Sequence, residues 1–341
     1  MKTYKKRTPD ERRAQITEIT EKLDQKVTEL FNSETYRKYL KTMSKFHNYS
    51  FNNTILIAMQ RPDASLVAGF NAWKNNFHRN VKKGEKGIKI LAPAPIKKTV
   101  EQDMIDPVTF KPVIDADGNA KKEEVQITIP NFHVVTVFDY AQTEGDELPS
   151  IGVSELTGRV DGYSRMITAL EQVSPVAVER STIDSGAKGY FSPADQKIVL
   201  QEGMSEVQTV KTLIHETAHA LLHDKDGSKV EGVEDSEKKN RNTKEVEAES
   251  VAYTVCEYFG IDTSEYSFGY IASWSAGKEL KELKESMETI RKTASKIISG
   301  IEDLCRDKTL SIKDKLAEGE AKKASQPQLN IEKHVKDVAL A

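Results

Sequence analysis

The chain has 341 residues, 38% hydrophobic and 30% charged, with seven histidines and two cysteines. No apolar run approaches the ~18 residues of a membrane span, and a mean hydropathy of −0.56 agrees, so a helical membrane protein and a disulfide scaffold are both excluded. The net charge of −3 conceals a balance of +12 over residues 1–100 and −15 over the rest, which suggests that only the first block meets a polyanion.

Residues 1–10 are charged with no apolar segment behind them, so they do not read as a secretory signal, and the expected location is the cytoplasm. Ile16, Ile19, Leu23, Val27 and Leu30 at three-to-four spacing predict an amphipathic helix over residues 10–32. Residues 34–47 and 51–60 read as two more helices, the second closed by Arg61-Pro62. A short helix then carries Phe70, Trp73 and Phe77, whose spacing suits a core face more than a row of stacking rings. Beyond it, Arg79, Lys82, Lys83, Lys86 and Lys89 fall within eleven residues around a Gly84/Gly87 turn, ahead of a strand at 88–91. With Lys74 and Trp73 beside it, this cationic turn suits a groove that follows a nucleic-acid backbone, and a solvated lysine face is the plain alternative. Lys97–Glu124 is charged and turn-rich, Val125–Ile129 and Asn131–Phe138 read as strands, and Glu144–Pro149 reads as a linker.

The second half opens with a helix near 158–173 and a hairpin around Ser192-Pro193-Ala194-Asp195. The hairpin's second strand, Gln196–Gln201, offers an edge for an extended peptide, or serves only as scaffold. Ser205 and Gln208 have capping-box spacing, and residues 211–223, KTLIHETAHALLH, follow on one helix. His215 and His219, four apart, lie about 40° round and about 6 Å along, so both imidazoles can grip one ion while Glu216 reaches its water. His223 lies about 12 Å along the axis from His215 and is expected to orient the site or cap the helix rather than bind. After the polar loop 224–243, the helix-like stretch Lys244–Tyr253 offers three candidate third donors, Glu245, Glu247 and Glu249. Two imidazoles and one carboxylate leave a position for water, the open arrangement of a catalytic zinc site. Tyr190 and Tyr253 are candidate donors to a developing oxyanion. Apolar residues from Leu280 to Ile301 alternate three and four apart, forming a helix that packs on this core or on a second copy, and 306–341 read as a mobile tail.

H-E-T-A-H-A-L-L-H followed by E-V-E-A-E-S-V-A-Y resembles the gluzincin-type metallopeptidase domains of the ArdC-like antirestriction proteins and their ImmA/IrrE-type relatives. Tyr49-Ser-Phe-Asn-Asn-Thr-Ile-Leu-Ile, Val67-Ala-Gly-Phe-Asn-Ala-Trp and Val81-Lys-Lys-Gly-Glu-Lys-Gly-Ile are similar to the N-terminal domain of the same proteins. The resemblance implies that the glutamate before the Ala of E-x-E-A, here Glu247, is the third ligand, with Glu249 next in line and Glu245 a surface or supporting group. It also implies single-stranded DNA as a partner, protection of incoming conjugated DNA of mobile elements, and a protein target in the restriction or host-defence machinery. The expected architecture is α+β: a basic N-terminal DNA-binding domain over 1–148, a zincin-like domain over 149–305 and the tail. The expected chemistry is peptide hydrolysis at zinc held by His215, His219 and Glu247, with Glu216 as general base. The alternative is a non-catalytic single-stranded-DNA-binding protein whose zinc is structural only.

Overall fold

The computed structural model describes residues 8–107, 109–115, 118, 120–148, 160–224 and 240–305. The expected tail and most of the 224–243 loop lie outside these residues. Its mixture of helices and sheets is α+β, as expected. No helix among the described residues is long and apolar enough to cross a membrane.

Helices α1 (Pro9–Leu30), α2 (Ser33–Lys45) and α3 (Phe51–Gln60) come first, and Asn32 and Ser50 cap α2 and α3 by accepting from the third residue on. Strand β1 (Val67–Gly69), helix α4 (Phe70–Asn76) and strands β2 (Arg79–Val81), β3 (Ile88–Pro93), β4 (Ile96–Asp103), β5 (Lys122–Ile129), β6 (Phe132–Asp139) and β7 (Thr143–Gly145) follow. They form a three-stranded sheet of order β1-β6-β3 and two antiparallel pairs, β2 with β7 and β4 with β5. Two readings change here. Residues 96–103 form a strand whose side chains are mostly exposed on both faces, so no alternation betrays it, and pairs such as Lys122–Asp103 (2.8 Å) line it up. Glu144 and Gly145, read as linker, belong to β7, whose partner strand supplies Arg79.

Helix α5 (Val160–Val173), strands β8 (Ala177–Ser181), β9 (Gly189–Ser192) and β10 (Lys197–Gln201), and helices α6 (Glu206–His223), α7 (Arg241–Tyr258), α8 (Ile271–Ser275) and α9 (Leu280–Cys305) complete the described chain. Strand β10 is central, parallel to β8 and antiparallel to β9. Among the described residues the free edge of the hairpin is therefore its first strand, and Gln196–Gln201, read from sequence as either a peptide edge or scaffold, is covered by β8. Gly189 lets this edge lie close on α6: an added Cβ would sit 2.7 Å from Thr212 Cγ2.

By contact density the described chain divides into two compact units. One holds the start up to Lys22 with Lys89–Val135, the other Leu23–Ile88 with everything from Thr136 on. Within the second unit, α2 packs against α7, and α9 packs against α5 and α7. Tyr36 and Ser250 share a buried hydroxyl contact of 2.8 Å, and Phe31, Tyr36, Phe268 and Trp274 form an aromatic cluster. Leu283, Met287, Ile290, Ala294, Ile297 and Ile301 of α9 are all buried in this core, so the expected stripe faces the chain's own helices.

Candidate metal centre and nucleic-acid surface

Helix α6 is the axis of the site. Ser205 accepts from the Gln208 N–H at 3.2 Å, but the Gln208 side chain pairs with Thr212 and Lys188 instead of completing the box. From Val210 to Asp224 every residue is buried except His215 and His219, which remain half-buried. The helix is thus sealed on all sides but one, and the opening exposes the two imidazoles. Their Nε2 atoms lie 3.1 Å apart, both turned to one point. They line a cleft of about 700 Å³ together with Glu216, His223, Gly189, Tyr190, Phe191 and the start of α7.

Glu245 brings a third potential donor to this pair. Its carboxylate oxygens lie 3.7 Å from His215 Nε2 and 3.6 Å from His219 Nε2, and one donor atom from each residue falls within 4.8 Å of the others. Glu247, the ligand expected from the resemblance, does not face this pair. Two residues on a helix are about 200° apart, so when Glu245 faces the cleft Glu247 must face the interior. Glu247 is fully buried, 3.3 Å from His223 Nε2, and accepts from Ser286 Oγ at 2.5 Å. Glu249 accepts from the Tyr270 hydroxyl. The structure therefore gathers His215, His219 and Glu245, and sets Glu247 against His223. Three hard or borderline donors with an open side suit a divalent metal.

The electrostatics fit that role. Burial, then His219, pushes His215 down to about 4, which keeps its ring neutral and its lone pair available. The neighbouring His219 is the largest cause holding Glu245 below the usual carboxylate range. Glu216 is 8% exposed, and burial raises its pKa, partly offset by His219 and by a hydrogen bond from the Phe191 backbone N–H. That bond ties the base to the free edge strand, a link with no signal in sequence. Tyr190 lines the cleft, whereas Tyr253 is buried against Tyr266 and Phe268 outside it, so of the two only Tyr190 stands where an oxyanion donor would.

Of the residues expected at nucleic acid, Trp73 and Arg79 are committed elsewhere. Trp73 is fully buried and its indole N–H donates to the Phe138 carbonyl at 2.8 Å, so it offers no stacking face. Arg79 is 6% exposed and donates to Thr143 Oγ1, the Thr143 carbonyl, Gly145 and Asp146, with its guanidinium 4.2 Å from the Tyr140 ring centre. It is a staple for β7, with four of its five N–H donors spent on protein oxygens. Lys74, Lys82, Lys83, Lys86 and Lys89 are exposed. The Lys82–Gly87 turn is pinned by Gln142, whose side chain donates to the Lys86 carbonyl and to Glu85, both at 2.8 Å. Next to it, Phe138 carries Phe70, which is 53% exposed at a ring distance of 6.3 Å. Phe70 is the ring grouped with the core by its spacing, and it is the one the fold leaves open.

Known proteins share both halves. Residues 7–138 match the N-terminal domain of anti-restriction factor ArdC, and residues 175–292 match the IrrE N-terminal-like domain of M78 peptidase type. An uncharacterized protein of Bacillus anthracis is 29% identical over 330 residues, 88% of this chain and 54% of that one. The DNA primase TraC of Escherichia coli is 28% identical over 203 residues, 57% of this chain and 13% of the primase. The chain thus spans about half of one relative and a small part of the other. Two structures of the antirestriction ArdC protein from the R388 plasmid align at a TM-score of 0.42. The metal-free one is 20% identical and covers 79% of this chain and 86% of its own. The Mn(II)-bound one is 17% identical, with 77% and 88% covered.

Proposed function

From a chain that carries an ArdC-type antirestriction domain followed by an IrrE-type M78 peptidase domain, we infer a cytoplasmic single-stranded-DNA-binding protein of a mobile element whose second domain hydrolyses peptide bonds with zinc. The observation that carries the enzymatic half is the convergence of His215, His219 and Glu245 on the wall of an open cleft, with Glu216 beside them. When bound there, a zinc ion supplies Lewis acidity toward a carbonyl and lowers the pKa of water. The chain's own groups do the rest. Glu216 takes the proton of the attacking water at a carboxylate oxygen and returns it to the leaving amine; its burial-raised pKa brings it nearer the working pH. The outer edge of β9 aligns an extended peptide with this base.

For the DNA half, Lys74, Lys82, Lys83 and Lys86 would follow phosphates, with Lys89 a further exposed cation, while Phe70 offers a face to a base. The free thiols Cys256 and Cys305 suit a reducing compartment. In this reading the protein protects incoming conjugated DNA from restriction and cuts a protein of the restriction or host-defence machinery.

Glu216→Gln separates hydrolysis from metal binding. Zinc content should stay at the wild-type level, while cleavage of a quenched-fluorescent peptide pool should fall by about 100-fold or more. Wild-type protein that holds zinc but cleaves no peptide, or a variant that cleaves at the wild-type rate, removes the peptidase reading and leaves a zinc-stabilised DNA-binding protein.

A further inference from the structure

Behind the three donors lies a file of buried polar groups that hydrolysis itself leaves unused. His223 is 6% exposed and Glu247 not at all. His219 Nδ1 and His223 Nδ1 are 3.0 Å apart, His223 Nε2 and Glu247 Oε2 are 3.3 Å apart, and Ser286 Oγ is 2.5 Å from Glu247 Oε1. Four side chains from α6, α7 and α9 thus run in line from the cleft into the core.

Valence sets the direction of each bond. An imidazole that lends its Nε2 lone pair to a cation carries its proton on Nδ1. His219 turns Nε2 toward His215 and Glu245, so its Nδ1–H donates to His223, and His223 Nδ1 accepts. His223 must then carry its proton on Nε2, the atom facing Glu247. The Ser286 hydroxyl donates to the other carboxylate oxygen. Every proton has one place, and no donor faces a donor. A carboxylate without solvent contact is tolerable only with such partners, and here they lead back to the cleft.

We propose that His223 and Glu247 are positioning residues of the metal centre: a buried histidine–carboxylate relay that fixes the tautomer and ring plane of His219 and anchors it to α9 through Ser286. The inference rests on the reading of His215, His219 and Glu245 as ligands. The negative charge at the far end of the relay also makes His219 a more basic ligand. His223 therefore serves the ion without touching it, which explains a third histidine one turn beyond the motif.

The test uses full-length protein loaded with Co2+, whose visible absorption reports the geometry of its ligands. Glu247→Gln keeps the shape and removes the charge, and His223→Gln removes the ring. Each should weaken Co2+ binding, measured against a chromophoric chelator, by about 10- to 100-fold and shift the cobalt absorption. Should Glu247→Gln not fold, the double variant, which buries two amides able to pair, makes the same comparison. Wild-type affinity and spectrum in the variants overturn the relay, and so does a lower melting temperature of metal-free protein with the cobalt spectrum unmoved. Failure of the underlying reading looks different, because wild-type protein then takes up no Co2+ at all.

Discussion

Glu245 and Glu247 stand two residues apart on α7, and the fold gives them opposite surroundings: the first is exposed at the imidazole pair, the second buried behind it. Removing the first is therefore a sharp perturbation. Structural zinc sites bind with about 10–16 kcal/mol, so one donor among three or four is worth about 3–4 kcal/mol. At 1.4 kcal/mol per decade, Glu245→Ala should weaken zinc by about 100- to 1000-fold. Glu249→Gln should leave affinity within about twofold, because Glu249 accepts from Tyr270 and stands apart from the three-donor group. Thermal denaturation reads the same quantity. With zinc at a thousand times the wild-type Kd, binding adds about 4.1 kcal/mol, and a hundredfold weaker site at the same zinc adds only about 1.4 kcal/mol. Chelator competition and melting with and without zinc, on wild type and the two single variants, give the answer. Wild-type affinity in Glu245→Ala with loss in Glu249→Gln would move the third donor one turn along the same face of α7 and refute the assignment to Glu245.

The DNA surface and the buried base each yield a further expectation. Phe70→Ala should leave the melting temperature nearly unchanged and weaken single-strand binding by about 1–3 kcal/mol in a fluorescence titration. Trp73→Ala should instead cost about 3–5 kcal/mol of stability, and intact folding with selective loss of DNA binding would return Trp73 to the interface. For Glu216 the sign follows from its raised pKa in the metal-free protein. The folded state holds its proton more tightly than the unfolded chain, so its contribution is fully favourable below the ordinary carboxylate pKa and is lost as pH rises through the folded value. Metal-free Glu216→Gln should therefore be more stable than wild type at neutral pH in urea melts, with the difference closing on acidification. A gap that widens as pH falls contradicts the assigned cause.

The juxtaposed histidine pair was legible because a local rule sets it: two histidines four apart on one helix share a face wherever that helix lies. The third donor was not. Helix α7 is buried at Thr243, Val246–Ala248 and Ser250–Cys256, on almost every side, so no polar stripe marks its phase, and three glutamates in alternate positions look alike in a string. Arg79 misleads for a related reason. Its partners lie 64 to 67 residues away, and a cation among lysines carries no mark of being spent on backbone carbonyls. In the aromatic trio, spacing identified a core face but not that its first ring hangs over the edge.

The packing of the basic segment carries a consequence that linear order hides. Tyr36 meets Ser250, the Phe51 N–H donates to Glu288, and Arg291 donates to the His47 carbonyl, so α2 and α3 close over the same helices that bear Glu247 and Ser286. Ser250 lies one turn beyond Val246 and donates to its carbonyl, beside the glutamate that supports His219. A chain cut at 148, the domain boundary expected from sequence, would strip the Tyr36 and Phe51 rings from this core and leave the face of α7 behind the proposed metal donors open to water. Unpaired water access to Glu247 is what the relay cannot tolerate, since a carboxylate that exchanges His223 for solvent no longer fixes the ring it supports. The segment similar to the ArdC N-terminal domain is in this sense part of the foundation of the proposed metal site, because both rest on one core.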